Sequence, residues 1–185
     1  MNAPRGTLRE KLIATFAISW IFWILGSALR RIVPLAIEPW TEHTMTAGQK
    51  ALYVAFAVFN AYAEGYRGFQ LRYCPRVVGR AVHLGANPKP LHLLLALPFV
   101  MSLFHAKRRQ RITSWVLIVG LTLLITWVKT IPQPWRGIID GGVVIGLGWG
   151  LASVAWLFGR YLLGYSLPEA VDLPEDEPAP APAPA

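Results

Sequence analysis

Five apolar stretches follow one another along the chain, separated by short segments that carry most of its charge. They lie near residues 12–28, 51–73, 91–106, 112–128 and 141–159. A helix crosses a bilayer core with about 17–25 mostly apolar residues. The pattern therefore predicts an all-α, polytopic integral membrane bundle between residues 12 and 167, with four or five membrane segments.

The first stretch, residues 12–28, contains no charged residue and follows the basic residues Arg5, Arg9 and Lys11. It is rich in bulky aromatics, and a pair of arginines follows it where a signal peptide would have a small-residue cleavage site. We therefore predict a retained first span. Residues 1–11 then form a basic N-terminal segment on the cytoplasmic side.

The second stretch stays uncharged only over residues 51–63, which is too short to cross a bilayer. A spanning helix must therefore continue through Glu64 and Arg67 to about Tyr73. That prediction places ionisable side chains within the membrane or at its boundary.

The third stretch, residues 91–106, has Pro98 near its middle. A straight helix of this length reaches about 24 Å, which is less than the hydrocarbon core of about 30 Å. Two arrangements stay open. If the stretch crosses, the chain has five spans. If it bends at Pro98 into a re-entrant or interfacial hairpin, the chain has four spans and both termini lie in the cytoplasm.

Charge placement bears on that choice. Residues 64–111 hold nine of the eighteen basic residues and a single acid. Positive residues in short loops favour the cytoplasmic side, and all nine share one side only in the hairpin arrangement. Plain hydropathy favours the crossing.

The fourth and fifth stretches are the strongest spans, and Pro132 and Pro134 between them predict a tight connection. In the fifth, Gly142, Gly146 and Gly150 recur every four residues. Small residues at this spacing line one side of a helix and allow another helix to approach closely. We predict a packing face there.

Composition excludes most other classes. The chain is 54% hydrophobic and 15% charged, which leaves too little polar surface to cover a soluble domain of 185 residues. Its single cysteine excludes a disulfide scaffold. The net charge of +8 is explained by orientation in a membrane, so we expect no nucleic-acid partner.

Residues 75–84 have the pattern of a short amphipathic helix that lies at the membrane surface. Pro75 suits its first position, and Arg76, Arg80 and His83 share one face. Such a face suits the phosphates of anionic lipid headgroups. We therefore expect the bilayer itself, and its anionic headgroups, to be partners of this chain.

The polar residues Asn60, Glu64 and Arg67 of the second stretch follow an α-helical spacing that continues to the apolar Leu71. The quartet Tyr-Arg-Gly-Phe around Arg67 is echoed by Trp-Arg-Gly-Ile around Arg136, with Asp140 one turn later. We hypothesise that Glu64, Arg67, Arg136 and Asp140 form a charge-compensated intramembrane cluster, since a net charge of zero lowers the cost of burial.

No pattern of metal ligands or catalytic residues is visible, so we predict no metal and no cofactor, and enzymatic activity stays undecided with the balance against it. If residues 91–106 form one helix, His92 and His105 lie about 20 Å apart and cannot share an ion. Cys74, next to a proline, is expected to be a small buried residue.

From residue 168 onward the chain becomes acidic and then repeats Pro-Ala, which predicts a disordered tail over 168–185. The pattern as a whole favours a subunit or assembly factor of a membrane complex, including a homo-oligomer. An oligomeric transporter or channel-like protein and a lipid-directed membrane enzyme are the alternatives. The composition suits a bacterial inner membrane.

Overall fold

The computed structural model describes residues 6–42 and 45–167, and every element in that part of the chain is a helix. In order, the elements are α1 (Leu8–Thr41), α2 (Ala47–Asn60), the π-helix π1 (Ala61–Tyr73), α3 (Cys74–Ala86), α4 (Pro90–Leu94), α5 (Ala96–Val100), α6 (Arg108–Val128) and α7 (Trp135–Leu162). The predicted all-helical class is confirmed. The tail predicted at 168–185 lies outside the described residues.

Three of these helices are long and apolar enough to cross a membrane: α1, α6 and α7. They contain the predicted segments 12–28, 112–128 and 141–159. The other two predicted segments, 51–73 and 91–106, do not form helices of this kind. The described residues thus support a membrane protein with three candidate spanning helices.

The first helix is longer than predicted. α1 runs for 34 residues and includes Pro34 and Pro39. It begins where the Thr7 hydroxyl accepts a hydrogen bond from the Glu10 amide, at 3.3 Å, a typical helix cap. It continues past residue 28 to Thr41, and neither Pro34 nor Pro39 ends it.

The second predicted segment, residues 51–73, is one continuous helical stretch that is α-helical up to Asn60 and π-helical from Ala61 onward. α2 begins with a capping box formed by Thr46 and Gln49, and it passes directly into π1 after Asn60. The three charged residues of π1 are Glu64, Arg67 and Arg72.

The amphipathic pattern at 75–84 lies within α3, with Pro75 in its first turn. Nine of the thirteen residues of α3 are buried, which is more than a helix lying on a membrane surface requires. Its Gly85 packs against α1, where a Cβ atom would lie 2.5 Å from the Glu10 carbonyl oxygen.

Residues 91–106 do not form one helix. α4 and α5 have five residues each and are separated at Leu95, so each is only about 7.5 Å long. Beyond α5 the chain turns, and Ser102 and His105 adopt φ values of 59° and 50°. A single straight span through this region is therefore excluded, because its backbone reverses within it.

The described part of the chain divides into two compact units. The first contains residues 6–22, 73–117 and 154–167, and the second contains residues 23–42, 45–72 and 118–153. α1, α6 and α7 contribute residues to both. In the first unit, α3 packs on α5, and the Lys11 ammonium donates to the Leu162 carbonyl at 2.9 Å. In the second unit, α2 and π1 pack on α7.

Candidate functional site

The glycine face of α7 lies against α2 and π1. Its members are Gly142, Gly146 and Gly150. A Cβ atom at these three positions would lie 2.6 Å from Asn60, 2.9 Å from Glu64 and 2.6 Å from Phe69, respectively. Only glycine allows backbone and side chains to approach this closely.

The register of π1 decides which side chains reach that face. Its i→i+5 hydrogen bonds give about 4.4 residues per turn instead of 3.6. Residues nine apart therefore complete about two turns, so Asn60, Glu64 and Phe69 lie on one side. In an α-helix Phe69 would lie opposite Asn60.

The predicted polar face therefore differs from the observed one. It was drawn with α-helical spacing through Arg67 and Leu71, but both residues are exposed and lie away from α7. Glu64 is also exposed, although its carboxylate lies beside Gly146. With the wider turn, Glu64 and Arg67 are more than 100° apart around π1, so they do not face each other along the helix.

Two further contacts fix this interface. The Trp149 indole donates a hydrogen bond to the Gln70 side chain at 2.7 Å. Its ring also covers Gly65, where a Cβ atom would lie 2.9 Å away. The buried Asn60 amide donates to the carbonyl of Phe56 on its own helix, at 2.9 Å.

The structure brings together two members of the hypothesised four-residue cluster. Arg136 and Asp140 form an ion pair along α7, with 3.4 Å between Nε and Oδ2, and Asp140 is 7% exposed. Glu64 lies beside Gly146, six residues or about 9 Å further along α7. Within residues 6–42 and 45–167, neither Glu64 nor Arg67 forms an ion pair.

A further polar contact, centred on Gln133 and not predicted from the sequence, joins α1 to the start of α7. Pro39 has no amide hydrogen, so the Leu35 carbonyl lacks its helical donor. The Gln133 amide donates to that carbonyl at 3.2 Å and to Glu38 at 3.0 Å, while its oxygen accepts from the Gly137 amide at 3.0 Å. The proline inside α1 was the signal that an outside donor was needed.

Arg80 is placed differently from the prediction. It is fully buried, and its guanidinium donates to the carbonyls of Phe99 at 2.7 Å, Phe104 at 3.3 Å and His105 at 2.9 Å. It also stacks on the Phe99 ring at 4.2 Å. These carbonyls become available because the chain turns after α5, and Arg80 is then too deep to contact a lipid headgroup.

The other two residues of the predicted headgroup-binding face, His83 and Arg76, differ in their burial. His83 is buried at 7% exposure, whereas Arg76 is half-buried. The Cys74 thiol at the start of α3 is buried at 1% exposure, and this burial raises its pKa to about 12. At neutral pH it is therefore a protonated, poorly nucleophilic thiol.

The distance of about 20 Å between His92 and His105 holds only for one helix over 91–106, and the structure has no such helix. The rings of His92 and His105 lie 4.6 Å apart between centroids, and each lies near Phe99. The turn after α5 brings them together. Within the described ranges, no group of three or more metal-ligating side chains is positioned to hold an ion.

A comparison with protein families, curated proteins and solved structures finds no match to this chain.

Proposed function

We propose that this chain is a small multi-pass integral membrane protein that acts through helix packing, as a subunit or assembly factor of a membrane complex. The observation that carries the proposal is α6. This apolar helix has 21 residues, and Val128 is the one that is buried. Large side chains are exposed around it, among them Trp115, Val116 and Leu123.

A span buried on no side contributes little to the fold of its own chain. Membrane helices associate by close packing and hydrogen bonding, and a bundle helix normally buries one face against its neighbours. The other described spans do so, since α7 packs its glycine face on α2 and π1. A partner protein that packs on α6 accounts for its lack of a face buried within its own chain.

We further propose four membrane segments: α1, α2 with π1, α6 and α7. The support comes from helix direction. Along α7 from Gly141 to Gly150, the contacting residues advance from Tyr53 to Phe69, so the two stretches run parallel. Parallel neighbours in a membrane must be separated by an odd number of crossings. α6 supplies one, and a crossing by residues 91–106 would make two.

This arrangement leaves α3, α4 and α5 on a single side, the side of the N-terminus. The nine basic residues between 64 and 111 then border that side. Because positive loops are retained in the cytoplasm, we propose a cytoplasmic N-terminus and a bacterial inner membrane as the location.

The proposal is tested by purification of the full chain from its native membrane in mild detergent. We expect a different protein to co-purify in stoichiometric amount. Replacement of residues 112–128 by leucines should keep a membrane span and remove that partner. Purification of the wild-type chain without another protein, or a partner indifferent to the replacement, would contradict the proposal.

Transport is the second candidate, with Glu64, Arg67, Arg136 and Asp140 along the path. The observation that favours it is the π-helix that carries Glu64 and Arg67, because π-helical turns are frequent at functional sites. Ion or solute flux in reconstituted vesicles should then be abolished by Glu64→Gln and preserved by Gln110→Glu. Equal flux in both variants would exclude this candidate.

A further inference from the structure

We propose that two copies of this chain pair side by side through π1, with Glu64 of each copy against Arg67 of the other. This inference rests on the proposed function, because it takes π1 as part of a membrane segment. It names a second copy as one binding partner and π1 as the surface that binds it.

The first argument is the environment of the two charges. Glu64 and Arg67 are both exposed, and neither has an ion-pair partner in the described part of the chain. Ionisable side chains within membranes nearly always pair with each other or face a protein interior. Arg136 does not serve Glu64, since it is paired with Asp140. We therefore place the missing partners outside the described part of the chain.

The second argument is the surface between the charges. With about 4.4 residues per turn, Ala63 and Gly68 lie on π1 between Glu64 and Arg67. A Cβ atom at Gly68 would have one neighbour within 4 Å, the Ala63 carbonyl of the same helix, at 3.4 Å. This surface is open, and its two small residues would allow another helix to approach closely.

The third argument is self-complementarity. Copies inserted in the same orientation are related by a two-fold axis along the membrane normal, which places two π1 helices in parallel. A two-fold interface repeats each contact, so one charge pair becomes two. Three residues advance a helix by no more than about 4.5 Å, which an arginine side chain spans. A second copy thus supplies both the cation and the anion that π1 needs.

The experiment uses two differently tagged full-length copies, co-expressed and then purified in mild detergent through one tag. Wild-type copies should co-purify. Glu64→Arg alone and Arg67→Glu alone should each lower recovery of the second tag at least tenfold, because each places like charges opposite one another. Co-expression of the Glu64→Arg chain with the Arg67→Glu chain should restore recovery, since both ion pairs are then re-formed between chains.

The mixed pair also controls for folding, because two misfolded chains would not restore binding. Lys107→Glu, which replaces an exposed charge outside π1, should leave recovery unchanged. Gly68→Leu should reduce recovery, whereas Gly159→Leu, which also has open space around it, should not.

Three results would overturn the inference. Wild-type copies fail to co-purify, or the single variants still co-purify. In the third, the mixed pair stays apart although a double variant, with Glu64→Arg and Arg67→Glu in the same chain, associates with itself. None of these removes the chain from the membrane or removes a partner bound at α6. Failure here is therefore distinguishable from failure of the proposed function.

Discussion

Pro39 and Gln133 together show how this chain tolerates a proline inside a membrane helix. The proline removes one helical hydrogen bond and leaves the Leu35 carbonyl without a donor. In an apolar environment such a carbonyl must be satisfied by another group. Gln133 does this and also holds Glu38 and the first turn of α7. One side chain thus fixes the end of α1 to the start of α7.

Replacement of Gln133 by leucine should therefore destabilise the protein by about 1–3 kcal/mol, the cost of leaving buried polar groups unsatisfied. The midpoint of thermal unfolding in detergent would measure it. Gln110→Leu is the matched control, since Gln110 makes one weak hydrogen bond of 3.4 Å within α6. Equal midpoints for the two variants would show that Gln133 is not a structural link.

Cys74 gives a second prediction at this scale. Its burial and its pKa of about 12 keep the thiol protonated and inaccessible, so maleimide at pH 7.5 should not label the folded protein within minutes. Denaturation in SDS should expose it to labelling. Asn87→Cys in a Cys74→Ser background supplies an exposed comparison on the loop after α3 and should label in the folded state. Rapid labelling of native Cys74 would contradict its buried position.

Among the elements, π1 departs most from the helix that its sequence predicts, because its wider turn changes which side chains face α7. The same residues drawn as an α-helix would direct Arg67 and Leu71 toward one face, but the wider turn directs Phe69 there instead. Because α7 presents glycines at Gly142, Gly146 and Gly150, the bulkier side chains of π1 fit against its backbone.

Gly146→Leu and Gly148→Leu compare the two sides of α7. The first would place a side chain against Glu64, where a Cβ atom has 2.9 Å of space, whereas nothing lies within 4 Å of a Cβ atom at Gly148. We expect the first variant to lose about 1–3 kcal/mol through overpacking and the second to be neutral. Thermal unfolding and the yield of monodisperse protein would measure both. Equal losses would exclude the observed packing.

Arg80 decides the fold of residues 90–106. Arg80→Met should leave the Phe104 and His105 carbonyls without the Arg80 donor and the Phe99 carbonyl with the Ser102 amide alone. We expect a cost of about 3 kcal/mol, with the loss confined at first to the turn after α5. Hydrogen–deuterium exchange should then rise over residues 96–106 and remain low in the second half of α7. Arg76→Met, one turn earlier on α3 and half-buried, should leave exchange in that turn unchanged. Unchanged exchange in the Arg80 variant would contradict its role.

At the scale of the whole molecule, the path of the chain through the membrane is the central prediction. Because α2 with π1 runs parallel to α7, residues 87 and 109 should lie on one side, the side of the N-terminus. Reporter fusions truncated after Asn87 and after Arg109 should both show cytoplasmic activity, and a fusion after Lys129 should show the opposite activity. Opposite readings for the first two would establish a crossing between them.

Sequence alone was sufficient for the features that depend on local composition. Apolar runs located α1, α6 and α7, and Pro75 located the start of α3. Sequence alone was insufficient where the conformation of a segment depends on a side chain that is distant in the sequence. The turn after α5 depends on Arg80, which is about 20 residues earlier in the chain, and the burial of Arg80 depends in return on that turn. Likewise, the spacing of Asn60 and Glu64 suits both an α-helix and a π-helix, and the position of Phe69 separates them.

The carbonyls around Arg80 also impose an order on biosynthesis. Arg80 leaves the ribosome 19 to 25 residues ahead of Phe99, Phe104 and His105, so the guanidinium emerges without the acceptors that hold it in the folded protein. Until they follow, water is its best solvent. α3 therefore becomes fully buried only after residue 105 has left the ribosome. Although α3 precedes α4 and α5 in the chain, it completes its packing no earlier than they do.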